Sequence, residues 1–163
     1  MLEAGIASIG LVPDGELHLI GLYARKPRVA RCIRDPLLAR ALCLRDGNRQ
    51  VLIIACDLLC IPEELHRAVV SGLPRLGPAG VFLAATHTHA GYGGFFRSGT
   101  AASMLGNPRP AIFSWLRDRL VQVGQRAMDD LAPARASWGV AEVAGLVSSR
   151  RQAQGPHDDR VGL

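Results

Sequence analysis

The sequence predicts an α/β fold: a mixed, largely parallel sheet with a crossover helix and one long helix packed on it. Three observations predict it. Two apolar runs of strand length, Val51 to Leu59 and Val81 to Ala85, read as buried strands. Between them, Leu65, Ala68, Val69, Leu73 and Leu76 repeat at helical spacing, so strand, helix and strand make a crossover unit with parallel strands. Further on, Ile112, Leu116, Leu120, Val123, Ala127 and Leu131 stripe one face of a long helix over Pro108 to Leu131.

The remaining elements follow in chain order. Gly5 to Val12 is a short apolar stretch and a first strand, closed by the turn residues Pro13-Asp14-Gly15. Gly21 to Asp35 is rich in basic residues and reads as a long loop, either functional or a solvated connection. In Leu37 to Leu44, Ala39, Ala41 and Cys43 share one face. Arg45-Asp46-Gly47-Asn48-Arg49 is a hairpin turn, with Asp-Gly supplying the positive φ angles. The near-continuous apolar run after it implies a strand covered on both faces. Pro62-Glu63-Glu64 starts the crossover helix, with proline in the first turn and carboxylates on its positive end. Pro74 ends it, and Gly77-Pro78-Ala79-Gly80 is a turn. Phe95 to Asn107, rich in Gly, Ser and Ala, is a loop placed to rim a site. Arg135 to Val143 alternates enough to be a strand, with Trp138 expected there for packing rather than for substrate contact. Val161-Gly162-Leu163 begins another. No domain boundary, internal repeat or low-complexity segment is visible, and residues 1–163 read as a single domain.

Composition narrows the classes. At 163 residues, 48% hydrophobic and 20% charged, the chain can bury a core. No apolar run reaches the length of a membrane span. The first residues lack the basic and apolar regions of a signal peptide, which makes the cytoplasm the default compartment. The net charge is +5, yet the arginines are spread along the chain. Nucleic-acid binding needs a clustered basic face or a known module, and neither is present. A solvated basic surface is the plain explanation, and an acidic substrate or an anionic membrane surface stays open. Cys32, Cys43, Cys56 and Cys60 form no Cys-x-x-Cys pair, and buried free thiols in a reducing compartment are expected.

The chemistry concentrates in Ala84-Ala85-Thr86-His87-Thr88-His89-Ala90-Gly91-Tyr92-Gly93-Gly94. Side chains at i and i+2 of a strand share a face, so His87 and His89 point the same way. Gly91, Gly93 and Gly94 let the backbone turn sharply and approach a ligand. Two imidazoles at a strand end before a glycine loop are half of a metal site, or a pair bonded to backbone at a sheet edge. In sheets of this kind ligands sit at the carboxyl ends of strands. Asp57 ends the neighbouring strand, where it either ligates, orients a histidine ring, or caps the helix starting near Pro62.

Ala85-Thr86-His87-Thr88-His89-Ala90-Gly91-Tyr92-Gly93-Gly94-Phe95 resembles the signature of the neutral/alkaline, non-lysosomal ceramidases, Ala-Thr-His-Thr-His-Ser-Gly-Pro-Gly-Gly-Phe. Asp35 to Ala41, Asp57-Leu58-Leu59 and Ser149-Arg150-Arg151 are similar to family segments in the same order. The resemblance implies a zinc amidohydrolase that cleaves ceramide to sphingosine and a fatty acid. It implies His87 as a zinc ligand, His89 beside the substrate or its oxyanion, and Arg150 holding the substrate. The partner implied is a lipid or other N-acyl amide. Ala90, Tyr92 and Ser149 depart from the family's Ser, Pro and Asn. The family's other zinc ligands (a His, a Glu and a Tyr) have no counterpart here, so the resemblance implies an N-terminal part that is inactive alone. The alternatives are a non-catalytic interaction domain of the same fold and another metallohydrolase completed by Asp57.

Overall fold

A glycine turn sets the register of the sheet. Strands β4 (Leu38–Asp46) and β5 (Arg49–Cys56) are joined by Gly47 and Asn48. Gly47 has a φ of 57°, which glycine adopts without a Cβ clash. The positive φ therefore comes from Gly47 and not from Asp46; glycine at the first central position is the type II′ pattern. The computed structural model describes residues 1–20, 28–97, 107–145, 148, 155 and 158–162.

Strand β1 (Leu2–Gly10) runs antiparallel to β4 from Leu2 opposite Asp46 to Gly10 opposite Leu38. It begins earlier than its apolar stretch suggests, because β4 offers partners along its whole length. The short β7 (Ala132–Pro133) pairs on the outer side of β1, and β6 (Val81–Ala85) pairs with β5. The order is β6-β5-β4-β1-β7. The sheet is mixed, as expected, but it is not largely parallel. Among the described strands, β5–β6 is its one parallel pair, and β1–β4, β4–β5 and β1–β7 are antiparallel. A two-residue turn forces its strands antiparallel, and only the helical crossover allows a parallel neighbour. Two small ribbons complete the described strands: β2 (His18–Leu19) with β3 (Arg28–Val29), and β8 (Val140–Glu142) with β9 (Arg160–Gly162). The basic stretch expected to be all loop thus contributes β3.

Among the described residues, both α-helices lie on one face of the sheet. Helix α1 (Glu63–Ser71) is the predicted crossover and buries Leu65 and Val69. Helix α2 (Pro110–Asp129) buries the predicted stripe from Ile112 to Ala127 against Ala39, Ala41, Cys43, Leu52 and Ile54. Two glycines permit this approach. A Cβ on Gly5 would lie 2.1 Å from the Ala127 carbonyl oxygen, and one on Gly124 would lie 2.9 Å from Leu52. Asp130, just past α2, accepts the Ile6 amide at 2.9 Å and pins the helix end to β1.

The other face carries no layer among the described residues. Ile6, Leu42, Ile53 and Phe82 stand opposite one another in register across four strands. Of these, Ile6 is 69% exposed and Phe82 56%. β5 is therefore covered on one face, not two: its apolar run reflects a second face that is apolar yet bare. Trp138 is likewise not core. It is 87% exposed, because residues 134–139 form no strand and have no inward side.

Two outcomes follow from this packing. Gly5→Ala is expected to cost about 3 kcal/mol, since the clash is with backbone, while Gly10→Ala, with open space around it, stays near neutral; urea unfolding checks the pair. Burial, with the nearby Asp57 charge, pushes the Cys56 thiol up to about 12. Cys32 is exposed whereas Cys43 and Cys56 are buried. Iodoacetamide near neutral pH should label Cys32 in the native chain and reach Cys43 and Cys56 only on unfolding, as read by peptide mass.

Candidate functional site

Parallel pairing brings the carboxyl ends of β5 and β6 side by side, with Cys56 opposite Ala85. The pairing runs one residue further, through a Thr86 amide to Cys56 carbonyl bond of 2.9 Å. There it stops. His87 has a φ of 59°, in the left-handed region that a side chain with a Cβ rarely occupies. The two histidines are thus not successive teeth of one strand face. The turn at His87 nonetheless leaves the rings adjacent, with centroids 4.9 Å apart and planes at 76°. Both residues are exposed.

The orientation of His87 comes from backbone. Its Nδ1 lies 2.7 Å from the Leu59 carbonyl oxygen. A carbonyl only accepts, so Nδ1 carries the proton and Nε2 of the neutral ring keeps its lone pair. A ring held through one nitrogen, with the other left as a donor atom, is the usual arrangement of a metal-binding histidine.

Asp57 sits at the same end of the sheet with a different task. Its Oδ2 accepts from the Leu38 amide at 3.0 Å and from Arg40 at 3.4 Å. The Asp57 amide returns a bond to the Leu38 carbonyl at 2.9 Å. The carboxylate braces β4 against β5. The ring-orienting partner proposed for His87 is Leu59, not Asp57. Nor does Asp57 cap α1, whose N-terminus has no side-chain cap.

The glycines are committed within the chain. The Gly91 carbonyl accepts from the Ile20 amide at 3.1 Å, and the Gly93 amide donates to the His18 carbonyl at 2.9 Å. These bonds fasten β2 to the glycine loop, with Leu19 bridged to Tyr92. Gly94, at a φ of 90°, accepts the Arg109 amide at 2.8 Å. Arg109 also donates from its side chain to the Glu16 carbonyl, so one residue clamps two loops. Leu59 and Arg109 were not singled out from the sequence, because backbone acceptors and clamps leave no residue signature. Of the expected ligand contacts, Gly91 alone among the three glycines lines a cavity, of about 970 Å³. Leu17, Leu19 and Leu37 form its apolar wall, Thr88 and Ala90 bring it beside the histidine turn, and residues 29–35 form its rim. Arg150 lies outside the described residues.

No group of three His, Cys, Asp or Glu side chains placed to hold a metal occurs among the described residues. Catalytic zinc generally takes three protein ligands and a water. The histidine pair fits part of such a centre and not the whole of it.

Tyr92, 2% exposed, lies beneath the glycine loop and packs edge-on against Phe95 at 6.0 Å. Its hydroxyl is buried with no hydrogen-bond partner among the described residues. Burial, with the nearby Cys56, pushes its pKa well up. An unsatisfied buried hydroxyl costs stability, so Tyr92→Phe is expected to be neutral or to stabilise by about 1 kcal/mol, measured as an unchanged or raised Tm.

Comparison with known proteins agrees with the signature. Residues 5–155 match the family described as neutral/alkaline non-lysosomal ceramidase, N-terminal. A neutral ceramidase from Mycobacterium tuberculosis (strain ATCC 25618 / H37Rv) is 29% identical over 157 residues, covering 90% of this chain and 24% of that protein. The crystal structure of neutral ceramidase from Pseudomonas aeruginosa superposes with a TM-score of 0.76 at 26% identity, covering 86% of this chain and 24% of that one. A structure titled ceramidase complexed with C2 gives 0.77 at 25% identity, covering 88% and 23%. The chain spans about a quarter of the length of these relatives. It belongs to the neutral/alkaline non-lysosomal ceramidase family and corresponds to the family's N-terminal region.

Proposed function

We propose that this chain is the N-terminal part of a zinc amidohydrolase acting on an N-acyl amide such as ceramide, and that it contributes only part of the catalytic centre. The carrying observation is the His87 Nδ1 bond to the Leu59 carbonyl, which leaves Nε2 as the donor atom. His87 is the zinc ligand in this reading. His89 meets the substrate carbonyl or the charge that develops on it, a role supported by its ring lying 4.9 Å from that of His87. Arg150, by its place in the family's Asn-Arg element, holds the substrate. Gly91 contributes to the wall of the adjoining cavity, while Gly93 and Gly94 shape the loop instead of cradling the ligand. Asp57 acts indirectly, by holding the ends of β4 and β5 in place.

When bound, zinc supplies Lewis acidity and brings the pKa of a water it holds to about 7. The chain's own contributions are simpler. His87 holds its ring in one tautomer, the apolar wall of Leu17, Leu19 and Leu37 takes an acyl tail, and β6 carries the pair to the sheet end.

A non-catalytic role for this chain by itself is favoured by one observation, the lack of a third metal-ligating side chain near the pair among the described residues. The two readings separate in solution. Calorimetric zinc titration is expected to show weak binding, with a Kd in the micromolar range or above, that His87→Ala abolishes. Equal binding by both proteins refutes the ligand assignment. Purified chain with zinc is expected not to hydrolyse a fluorescent ceramide or simple N-acyl amides. Zinc-dependent turnover that disappears in His87→Ala would show a complete centre within these residues.

A further inference from the structure

We infer that the cavity rim at Val29 to Asp35 is a docking loop for an anionic lipid bilayer, through which an acyl chain passes to the histidine end of the sheet. The inference deepens the ceramidase reading and rests on it for the lipid nature of the substrate.

The rim departs from ordinary protein surface in three ways. Its apolar side chains face solvent: Ile33 is 64% exposed and Val29 43%. Exposed arginines stand beside them, with Arg31 and Arg34 flanking Cys32 and Ile33. Asp35, paired to Arg34 at 3.7 Å, is the acid that ends the segment, and the sequence from Arg25 to Arg34 contains none. Alternating basic and apolar residues on one exposed loop match the chemistry of a bilayer surface. Arginines meet acidic headgroups, and aliphatic side chains enter the acyl boundary. The chain's net charge of +5 acts in the same direction.

Position adds the functional argument. The rim lines the same cavity as Thr88, Ala90 and Gly91, which adjoin the histidine turn. Leu17, Leu19 and Leu37 line that cavity too. An acyl chain leaving the bilayer at Ile33 would remain on apolar surface until its polar end reached the histidines. The loop and the catalytic end also share supports, because the ribbon of β2 and β3 is bonded to the glycine loop through His18 and Ile20. The bare sheet face with Ile53 and Phe82 is the rival lipid-binding surface; it carries Arg40, paired with Asp57, and Arg49 at the far end of β5, but unlike the rim it does not border the cavity beside the histidine turn.

The test is flotation of the full chain with phosphatidylcholine vesicles, with and without phosphatidylserine, in the absence of zinc and ceramide. Binding is expected on the serine-containing vesicles only and should weaken with added salt. Arg31→Ala/Arg34→Ala is expected to weaken it by about 25-fold, at roughly fivefold per charge. Ile33→Glu is expected to weaken it at least as much, and Phe82→Ser to leave it unchanged. An environment-sensitive fluorophore on Cys32 should shift to the blue on binding. Circular dichroism checks that each variant folds. Equal binding to both vesicle types overturns the inference. So does binding that survives Ile33→Glu but is lost in Phe82→Ser. Because no readout involves zinc or turnover, equal zinc binding by the wild type and His87→Ala would count against the metal reading and leave this result intact.

Discussion

The 2.7 Å bond from His87 Nδ1 to the Leu59 carbonyl joins the fold to the chemistry. A histidine at a φ of 59° carries backbone strain on the order of 1–3 kcal/mol, and such strain persists only where the surroundings over-determine it. Here the surroundings are specific. The Thr86 amide is tied to Cys56, so the residue before the turn cannot drift. Leu58 and Leu59 are buried, so the acceptor is fixed as firmly as the donor. Strain at this one residue aims an imidazole that a regular strand would have left standing off one face of the sheet.

That aim depends in turn on the parallel pair. β5 and β6 end together only because α1 carries the chain back across the sheet, and α1 is held by its packing beside α2. α2 sits close enough because Gly5 and Gly124 present no side chain at the contact. A close approach between a helix carbonyl and β1 thus supports a turn at the opposite side of the sheet. The signature histidines are the visible end of this arrangement, and the glycines are its less visible base.

Much of this was legible in the residues. Helical spacing from Ile112 to Ala127 marks α2 well, because its period is set by one buried face. Alternation in Ala39, Ala41 and Cys43 marks the inner side of β4 in the same way. Sheet polarity was not legible, since a pattern of apolar residues is the same whichever way a neighbouring strand runs. Ile53 and Phe82 misled for a related reason: hydrophobicity reports that a face is suited to burial, not that a layer covers it. At the site, His87 and His89 were identified as a pair, but their geometry came from a backbone dihedral that residue types do not encode. The place of Asp57 at this end of the sheet is legible, but the choice among ligand, ring-orienting group and helix cap is not, because the main-chain partners at Leu38 and Leu59 are invisible to any reading of side chains.

The place of β6 at the outer edge of the sheet also bears on how the chain folds. β4 and β5 meet through a two-residue loop, the cheapest closure a chain can make. β6 must instead wait for the whole segment from Asp57 to Gly80 to order itself before its backbone finds β5. The histidine end is therefore assembled late, on a hairpin already in place. Nascent or partly unfolded chains would present the β4–β5 hairpin with its apolar surfaces before any ligand-binding geometry exists. A chaperone that captures such chains would meet the hairpin before the histidine turn exists.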